Sequence, residues 1–156
     1  MKKAFALLAV SALLLTGCGE KEMSASSDNL PTVTTNQGEA PTIGAPAGNP
    51  PTTLVTKDII VGSGAEALPT STMTVHYTLM TWSNGQLIES SWNGGSPATF
   101  PLANVIVGWQ QGIPGMKVGG RRLLVIPPDL GYGAQGGGPI GPNETLIFVV
   151  DAIGVA

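Results

Sequence analysis

The sequence predicts an α+β domain in which an antiparallel sheet carries one short helix packed across it. From residue 54 onward, short apolar runs of strand length recur between turn residues, and only one segment has the pattern of a helix. The chain also holds 22 glycines and 13 prolines in 156 residues, a composition that favours turns, loops and short strands. These observations predict a sheet domain with many tight connections.

Each predicted strand depends on a local pattern. Residues 73–81 alternate, so that Val75, Tyr77 and Leu79 share one face of a strand. Asn84-Gly85 is a hairpin turn signal, because both positions can adopt positive φ, and the chain then returns as a partner strand. In chain order, the predicted strands are 54–61, 73–81, 86–91, 99–102, 121–126 and 145–153.

The single helix is predicted over residues 107–111, and it must be short. Gly112, Pro114 and Gly115 follow directly, and residues of these types end a helix. Trp109 lies on this segment, where a large aromatic side chain serves either as core or as the surface of a pocket. The residues alone leave both roles open.

The first eighteen residues have the layout of an export signal. Lys2-Lys3 precede an apolar run over 4–15, and small residues then lead to Cys18. The run is shorter than the roughly 20 residues that span a bilayer, which disfavours the alternative of a signal anchor. Leu-Thr-Gly-Cys at 15–18 resembles the lipobox of bacterial lipoproteins, and the resemblance implies a lipid on Cys18. A free thiol after an ordinary cleavage site is the other interpretation.

Residues 18–53 are predicted to form a disordered tether that begins at the lipidated Cys18. The segment is rich in Ser, Thr, Pro, Gly and Asn, and it holds five prolines and few large apolar side chains. Such a composition cannot bury enough surface to offset the entropy of ordering. We therefore expect a signal peptide over 1–17, this tether, and a folded domain over 54–156. The domain would be lipid-anchored to a membrane of the bacterial envelope, on its extracytoplasmic side.

The residue counts and the net charge exclude several classes of site. A single cysteine rules out a disulfide within the chain. A structural zinc site needs about four Cys or His ligands, and this chain has only Cys18 and His76. A net charge of −3 with 11% charged residues gives no basic face for nucleic acid. Arg121 and Arg122 fall on opposite faces of a strand, and at least one is expected to be solvated. We expect no metal, no cofactor and no nucleic-acid partner.

Six sequence blocks follow one another along the domain. They are Val-His-Tyr-Thr at 75–78, Ile-Glu-Ser-Ser at 88–91, Val-Ile-Val-Gly-Trp at 105–109, Gly-Met-Lys-Val-Gly at 115–119, Pro-Asp-Leu-Gly-Tyr-Gly at 128–133 and Asn-Glu-Thr-Leu-Ile-Phe at 143–148. In this order they resemble the FK506-binding-protein family of peptidyl-prolyl isomerases. The resemblance implies a curved sheet of five or six strands wrapped around a short helix, and polypeptides that contain X–Pro bonds as substrates.

The resemblance also implies a role for each of ten residues. Trp109 would form the floor of the substrate pocket, with Val105 and Ile106 in its wall. The backbone N–H of Ile106 and the hydroxyl of Tyr132 would donate hydrogen bonds to carbonyl groups of the ligand. The other residues implied at the catalytic site are Tyr77, Ile88, Glu89 and Phe148, and those implied in substrate binding are Phe100 and Ile140.

Three positions depart from the family pattern. Ile88 and Glu89 stand where most members have Phe and Asp, and Ala98 replaces a second aromatic residue. The Arg that often pairs with that Asp corresponds here to Gly94 and Gly95. The resemblance implies FK506- and rapamycin-type macrolides as further partners, with their binding weakened by Ile88 and Ala98.

The function we expect is a membrane-tethered isomerase of exported or membrane-proximal proteins, which desolvates the X–Pro bond and stabilises its twisted form. A non-catalytic module that binds proline peptides on the same fold is the alternative, and a structural spacer is a third interpretation. Residues 131–136 also satisfy the pattern G-x-G-x-x-G, but Gly137-Gly138-Pro139 cannot begin a useful helix. We therefore expect a loop over the pocket there and not a dinucleotide site.

Overall fold

The computed structural model describes residues 29–156, which form six strands and one α-helix connected by short 3₁₀ turns. The predicted antiparallel sheet with a single short helix is confirmed, and each element lies within two residues of its predicted bounds. The elements are β1 (Val55–Ile60), β2 (Thr72–Thr81), β3 (Leu87–Ser90), β4 (Ala98–Pro101), α1 (Val107–Gly112), β5 (Arg121–Ile126) and β6 (Leu146–Val155).

All paired strands run antiparallel, and the sheet has the order β1-β5-β6-β2-β3. Two short strands share the free edge of the long strand β2. β4 pairs with its first half, from Thr72 to Val75, and β3 pairs with its second half, from Thr78 to Met80. Side chains from three strands can therefore meet above the middle of β2.

The helix α1 lies very close to the inner face of the sheet, and two glycines permit the approach. A Cβ atom on Gly108 would lie 2.5 Å from Cγ2 of Ile126, and one on Gly112 would lie 2.5 Å from Cδ2 of Leu124. Since atoms at that distance clash, a larger residue at either position would require the helix or the facing side chain to shift. The two glycines fix the position of Trp109, which lies between them on the helix.

The two faces of the sheet carry separate apolar clusters, because neighbouring side chains on a strand point to opposite faces. The inner cluster, between the sheet and α1, includes Tyr77, Trp109 and Phe148. The outer cluster lies on the other face and includes Trp82 and Val149. The site described below belongs to the inner face.

Residues 29–53, the N-terminal strap, cover the outer cluster. Leu30, Val33 and Ile43 pack against that cluster, and Val33 and Ile43 pair as an isolated antiparallel bridge. The indole Nε1 of Trp82 donates a 3.2 Å hydrogen bond to the carbonyl of Gly48. The disordered tether predicted over 18–53 is therefore wrong for residues 29–53, because three apolar side chains and several backbone groups find partners on the domain.

Arg121 ties the strap to the sheet. Its side chain is fully buried, with Nε donating to Oδ1 of Asp151 at 2.7 Å. Its other two nitrogens donate to the carbonyl oxygens of Thr34 at 2.9 Å and of Glu39 at 2.6 Å. Burial raises the pKa of the Asp151 carboxyl above its usual range, and the guanidinium of Arg121 partly offsets that rise.

Arg122 points to the opposite face and is also paired. It forms an ion pair with Asp58 at 2.6 Å and donates to the carbonyl oxygens of Gly112, the last residue of α1, and of Pro114. The expectation that one of the two arginines is merely solvated is therefore wrong. Both arginines instead hold neighbouring segments, the strap and the helix, against β5.

Within residues 29–156, no helix combines the length and apolar character needed to cross a bilayer. The predicted signal peptide over 1–17 and the predicted lipid on Cys18 lie outside the described residues.

Candidate active site

A cavity of about 290 Å³ opens on the inner side of the sheet, above α1. Strands β2, β3, β4 and β6, the helix and two connecting loops each contribute to its wall. The residues that line it are Tyr77, Leu79, Glu89, Phe100, Asn104, Val105, Ile106, Trp109, Tyr132 and Phe148.

Trp109 is at the centre of an aromatic cluster beneath this cavity. Its ring meets Phe148, Tyr77 and Phe100 at centroid distances of 5.3, 5.8 and 6.0 Å. The three interplanar angles lie between 82° and 90°, so every contact is edge to face, an arrangement that the ring quadrupoles favour. The side chain is 4% exposed yet lines the cavity, which makes it both core and floor.

The indole Nε1 of Trp109 is buried and has no hydrogen-bond partner among residues 29–156. A buried donor without a partner costs free energy, so most such groups in folded proteins are paired. Trp109 therefore contributes the shape and apolar surface of its ring to the site, and its N–H contributes no hydrogen bond within residues 29–156.

Tyr77 and Glu89 form the polar part of the wall. The Tyr77 hydroxyl donates a 2.6 Å hydrogen bond to Oε1 of Glu89. Burial of the phenol, and then the hydrogen bond to the Glu89 carboxylate, raise the pKa of Tyr77 above its usual range. The phenol consequently stays protonated and keeps donating to Glu89 at physiological pH.

The backbone of Val105 and Ile106 is held firmly at the cavity edge. The side-chain amide of Gln110 donates to the Val105 carbonyl at 2.8 Å, and the Ile106 carbonyl accepts from the N–H of Trp109 at 2.9 Å. The N–H of Ile106 itself donates no hydrogen bond within residues 29–156. A fixed N–H without a partner beside a cavity is available to a ligand carbonyl.

Tyr132 borders the cavity from a loop, with 42% of its surface exposed. Its ring packs beside Gly137, where a Cβ atom would lie 3.2 Å from Cδ1 of the tyrosine. The hydroxyl makes no hydrogen bond to any residue in the described part of the chain. The loop thus presents a second donor toward the cavity.

Eight of the ten residues implied by the resemblance line the cavity, and Ile88 and Ile140 do not. Ile88 packs against the inner cluster. Leu79 pairs with Glu89, and Met80 pairs with Leu87. Ile88 is therefore the extra residue of a β-bulge. Ala98 also packs against that cluster and is absent from the cavity wall. These two departures from the family pattern therefore change the core beside the cavity rather than its surface.

Ile140 is 5% exposed and belongs to the inner cluster. Its backbone N–H and carbonyl pair with the carbonyl and N–H of Gly137, both at 2.9 Å. The residue thus anchors the loop that carries Tyr132. The segment 131–136 forms a loop with a 3₁₀ turn at Gly133–Gln135 and does not begin an α-helix.

Sequence reasoning did not assign Leu79 or Asn104 to the cavity, and both line it. Leu79 could have been found, because it shares a strand face with Tyr77. Asn104 carries no motif and reaches the wall through the 3₁₀ turn Leu102–Asn104.

The cavity holds no pair of side chains suited to nucleophilic catalysis. Its lining has no histidine, cysteine, serine or lysine, and His76 lies elsewhere, stacked on Trp92 at 4.0 Å and hydrogen-bonded to Ser91. Among residues 29–156, no three His, Cys, Asp or Glu side chains are grouped so that they could hold a metal ion. The arrangement suits a change of conformation in a bound chain better than the making or breaking of a bond.

Comparisons with known proteins agree with this geometry. The family described as FKBP-type peptidyl-prolyl cis-trans isomerase matches residues 64–153. A probable FK506-binding protein of Corynebacterium glutamicum is 50% identical over 115 residues, which cover 74% of this chain and 98% of that protein. The outer membrane protein MIP of Legionella longbeachae is 42% identical over 106 residues, covering 67% of this chain and 45% of that protein.

A solved structure gives the same result for the fold. The crystal structure of FkpA from Escherichia coli superposes with a TM-score of 0.62 at 37% sequence identity, and the match covers 65% of this chain and 47% of that one. The chain belongs to the FKBP-type peptidyl-prolyl cis-trans isomerase family. Its activity is therefore the isomerisation of X–Pro peptide bonds, as the sequence predicted.

Proposed function

We propose that the cavity above Trp109 is the isomerase site, and that it acts by removing water from the X–Pro bond. The observation that carries this proposal is the edge-to-face cluster of Tyr77, Phe100 and Phe148 around the indole, which lines the cavity with rigid apolar surface. The polar side chains of the lining are those of Tyr77, Glu89, Asn104 and Tyr132, and the first two are hydrogen-bonded to each other.

The chemistry needs only such an environment. Resonance keeps the peptide bond planar, with a rotation barrier of about 18–20 kcal/mol. In the planar state the carbonyl oxygen carries partial negative charge, which water solvates well, and twisting the bond lowers that charge. An apolar cavity withholds the water and so takes away part of the advantage of the planar state. The free energy of the twisted bond therefore falls relative to that of the planar bond, and this lowers the barrier to rotation.

Two donors at the rim would hold the substrate backbone during rotation. The N–H of Ile106 and the hydroxyl of Tyr132 both lack partners within residues 29–156 and border the same cavity. Each would donate to a carbonyl flanking the proline, so that one end of the bond stays fixed while the other turns. The hydrogen bond between Glu89 and Tyr77 keeps the neighbouring wall in place.

The required acceleration is within reach of these effects. Uncatalysed isomerisation takes about 10–100 s, and shortening it to about 1 ms needs about four to five powers of ten. That factor corresponds to about 6 kcal/mol of transition-state stabilisation. Desolvation of one carbonyl, together with two positioned hydrogen bonds, can supply this amount.

An isomerisation assay on a proline tetrapeptide tests the proposal. Trp109→Leu should lower kcat/KM by about 10- to 100-fold, which is a loss of about 1.4–2.7 kcal/mol of transition-state stabilisation. Tyr132→Phe should lower it by about two- to tenfold, the value of one hydrogen bond. Trp92→Phe is the matched control, because this second indole lies outside the cavity wall. A parent protein no faster than buffer would reject the proposal.

The proposal extends to macrolides of the FK506 type, which would occupy the same cavity and compete with the peptide. The names of relatives as FK506-binding proteins support this extension. Tight inhibition is expected to require the Trp109 floor, so FK506 should lose affinity for Trp109→Leu and keep it for Trp92→Phe. Inhibition that is the same in both variants would reject the shared site.

We further propose that the isomerase is held at a bacterial envelope membrane by a lipid on Cys18. The lipobox-like segment 15–18 supports this, together with the relative named as an outer membrane protein. Ten residues separate Cys18 from Asn29, a span of at most about 40 Å, so the domain would stay close to the membrane. Cys18→Ser should move the protein from the membrane fraction to the soluble fraction of cells. Unchanged membrane association would reject the anchor.

A further inference from the structure

The chain segments that build the cavity wall carry acidic side chains and no basic ones. Residues 82–112 contain Glu89 as their sole charged residue. Residues 127–145, which include the loop of Tyr132, contain Asp129 and Glu144 and neither lysine nor arginine. These segments therefore carry three carboxylates and neither lysine nor arginine, but Glu89 alone of the three lines the cavity, and both oxygens of Glu144 accept hydrogen bonds from Ser83.

Glu89 is the one charged residue in the cavity lining. Tyr77 donates to its Oε1, while Oε2 has no hydrogen-bond partner among residues 29–156. Glu89 is exposed to solvent and lines the cavity, so a bound peptide can reach its carboxylate. An unpartnered carboxylate oxygen beside a bound chain attracts a cation on that chain.

The described part of the chain supplies no counter-ion for this carboxylate. Arg121 and Arg122 are both held in ion pairs, with Asp151 and Asp58. Lys57 is on β1, at the opposite end of the strand order from Glu89 on β3.

The remaining described lysine is also distant from the cavity rim. Lys117 borders a separate small cleft of about 90 Å³ together with Asp58 and Arg122, beside β1. Within residues 29–156 no basic side chain is placed to pair with Glu89, so we take the bound peptide as the source of a cation.

We propose that Glu89 determines specificity, and that it directs the isomerase toward proline segments with a lysine or arginine next to the proline. The inference rests on the proposed function, since it takes the cavity to be the substrate site. A basic side chain beside the proline would reach the free Oε2 atom, while an acidic one would be repelled by Glu89.

A purely structural role for Glu89 makes a different prediction. If the carboxylate served only to orient Tyr77, its loss would change kcat/KM by the same factor for every peptide. A specificity role changes the ratio between peptides, and that ratio falls with ionic strength because exposed charges are screened by salt.

The test measures kcat/KM on matched peptides with lysine, acetyl-lysine or glutamate immediately before or immediately after the proline. Acetyl-lysine keeps the length of the side chain and removes its charge. In the full chain at low salt, lysine should exceed acetyl-lysine by about two- to fivefold at one of the two positions, which is the range for an exposed ion pair. Glutamate should fall below acetyl-lysine at the same position.

Glu89→Gln should bring the ratio of lysine to acetyl-lysine close to one, whatever its effect on the common rate. Glu66→Gln is the matched control, because Glu66 is an exposed acid away from the cavity wall, and it should keep the ratio. Equal rates for all peptides in the parent, or a ratio unchanged by Glu89→Gln, would overturn the inference alone. No acceleration of any peptide would reject the proposed function, and the inference with it.

Discussion

The phenol of Tyr77 donates a 2.6 Å hydrogen bond to Glu89 across the neighbouring strands β2 and β3. Leu79 stands directly opposite Glu89, so the phenol and the carboxylate meet diagonally on the inner face of the sheet. The same tyrosine ring lies edge to face against Trp109. This side chain thus joins the polar rim of the cavity to its apolar floor.

The first prediction concerns the ionisation of Tyr77. In Tyr132→Phe, Tyr77 is the sole tyrosine, and its phenolate absorbance should be absent near pH 10, the ordinary pKa of tyrosine. Because the folded pKa is raised, this group stabilises the fold fully below about pH 10, and the contribution is lost as pH rises toward the folded value. The free energy of unfolding should therefore fall above pH 10, and fall less in Tyr77→Phe. Phenolate appearing at pH 10 in the folded protein would contradict the hydrogen bond.

The second prediction tests how close α1 lies to the sheet. Gly108→Ala places a methyl group against Ile126, and the overpacking should cost about 1–3 kcal/mol in the free energy of unfolding. It should also lower kcat/KM, because the helix carries Trp109. Gly94→Ala is the control, since a Cβ atom there meets nothing within 4 Å. Urea unfolding measures the free energy of unfolding of both variants. Equal losses in the two would show that the packing of the helix on the sheet does not require glycine at position 108.

The third prediction compares the two arginines of β5. Arg121→Met leaves Asp151 buried without its partner and should destabilise the fold by about 3–5 kcal/mol. Arg122→Met should cost less, about 1–2 kcal/mol, because the side chain of its partner Asp58 is 42% exposed to water. Urea unfolding measures both values. A larger loss for Arg122→Met would contradict the assignment of Arg121 as the buried connection to the strap.

The fourth prediction concerns the N-terminal strap. A chain that begins at residue 54 exposes the outer cluster around Trp82 and Val149, so it should unfold at lower urea and bind a hydrophobic dye. The cavity lies on the other face, so the isomerisation rate per folded molecule should change little. Ile43→Ser in the full chain should give a smaller loss of stability in the same direction. If a chain that begins at residue 54 is as stable as one that begins at residue 29, the strap contributes nothing to the free energy of unfolding.

The sequence predicted the sheet and helix well, because both depend on local patterns. The alternation in residues 73–81 predicts β2. The glycines and the proline after residue 111 predict where α1 ends. The strap escaped prediction for a physical reason. Composition rules count apolar side chains, whereas the strap is also bound through the backbone carbonyls of Thr34 and Glu39, which accept from Arg121.

Eight of the ten residues that the family resemblance implied line one cavity, and the positions of the other two have local causes. Ile88 leaves the cavity wall because a β-bulge shifts the register there, and alternation along a strand cannot show an extra residue. Ile140 turns into the core through its pairing with Gly137, a contact inside a glycine-rich loop that has no periodic pattern.

The solvent isotope effect on kcat/KM tests the central claim most directly. If the apolar cavity accelerates rotation by withholding water, no proton moves in the rate-limiting step, and the rates in light and heavy water should be nearly equal. Trp109→Leu should lower both rates by the same factor. A rate about twofold or more slower in heavy water would indicate proton transfer by a cavity group such as Tyr132 or Glu89, and it would contradict the account.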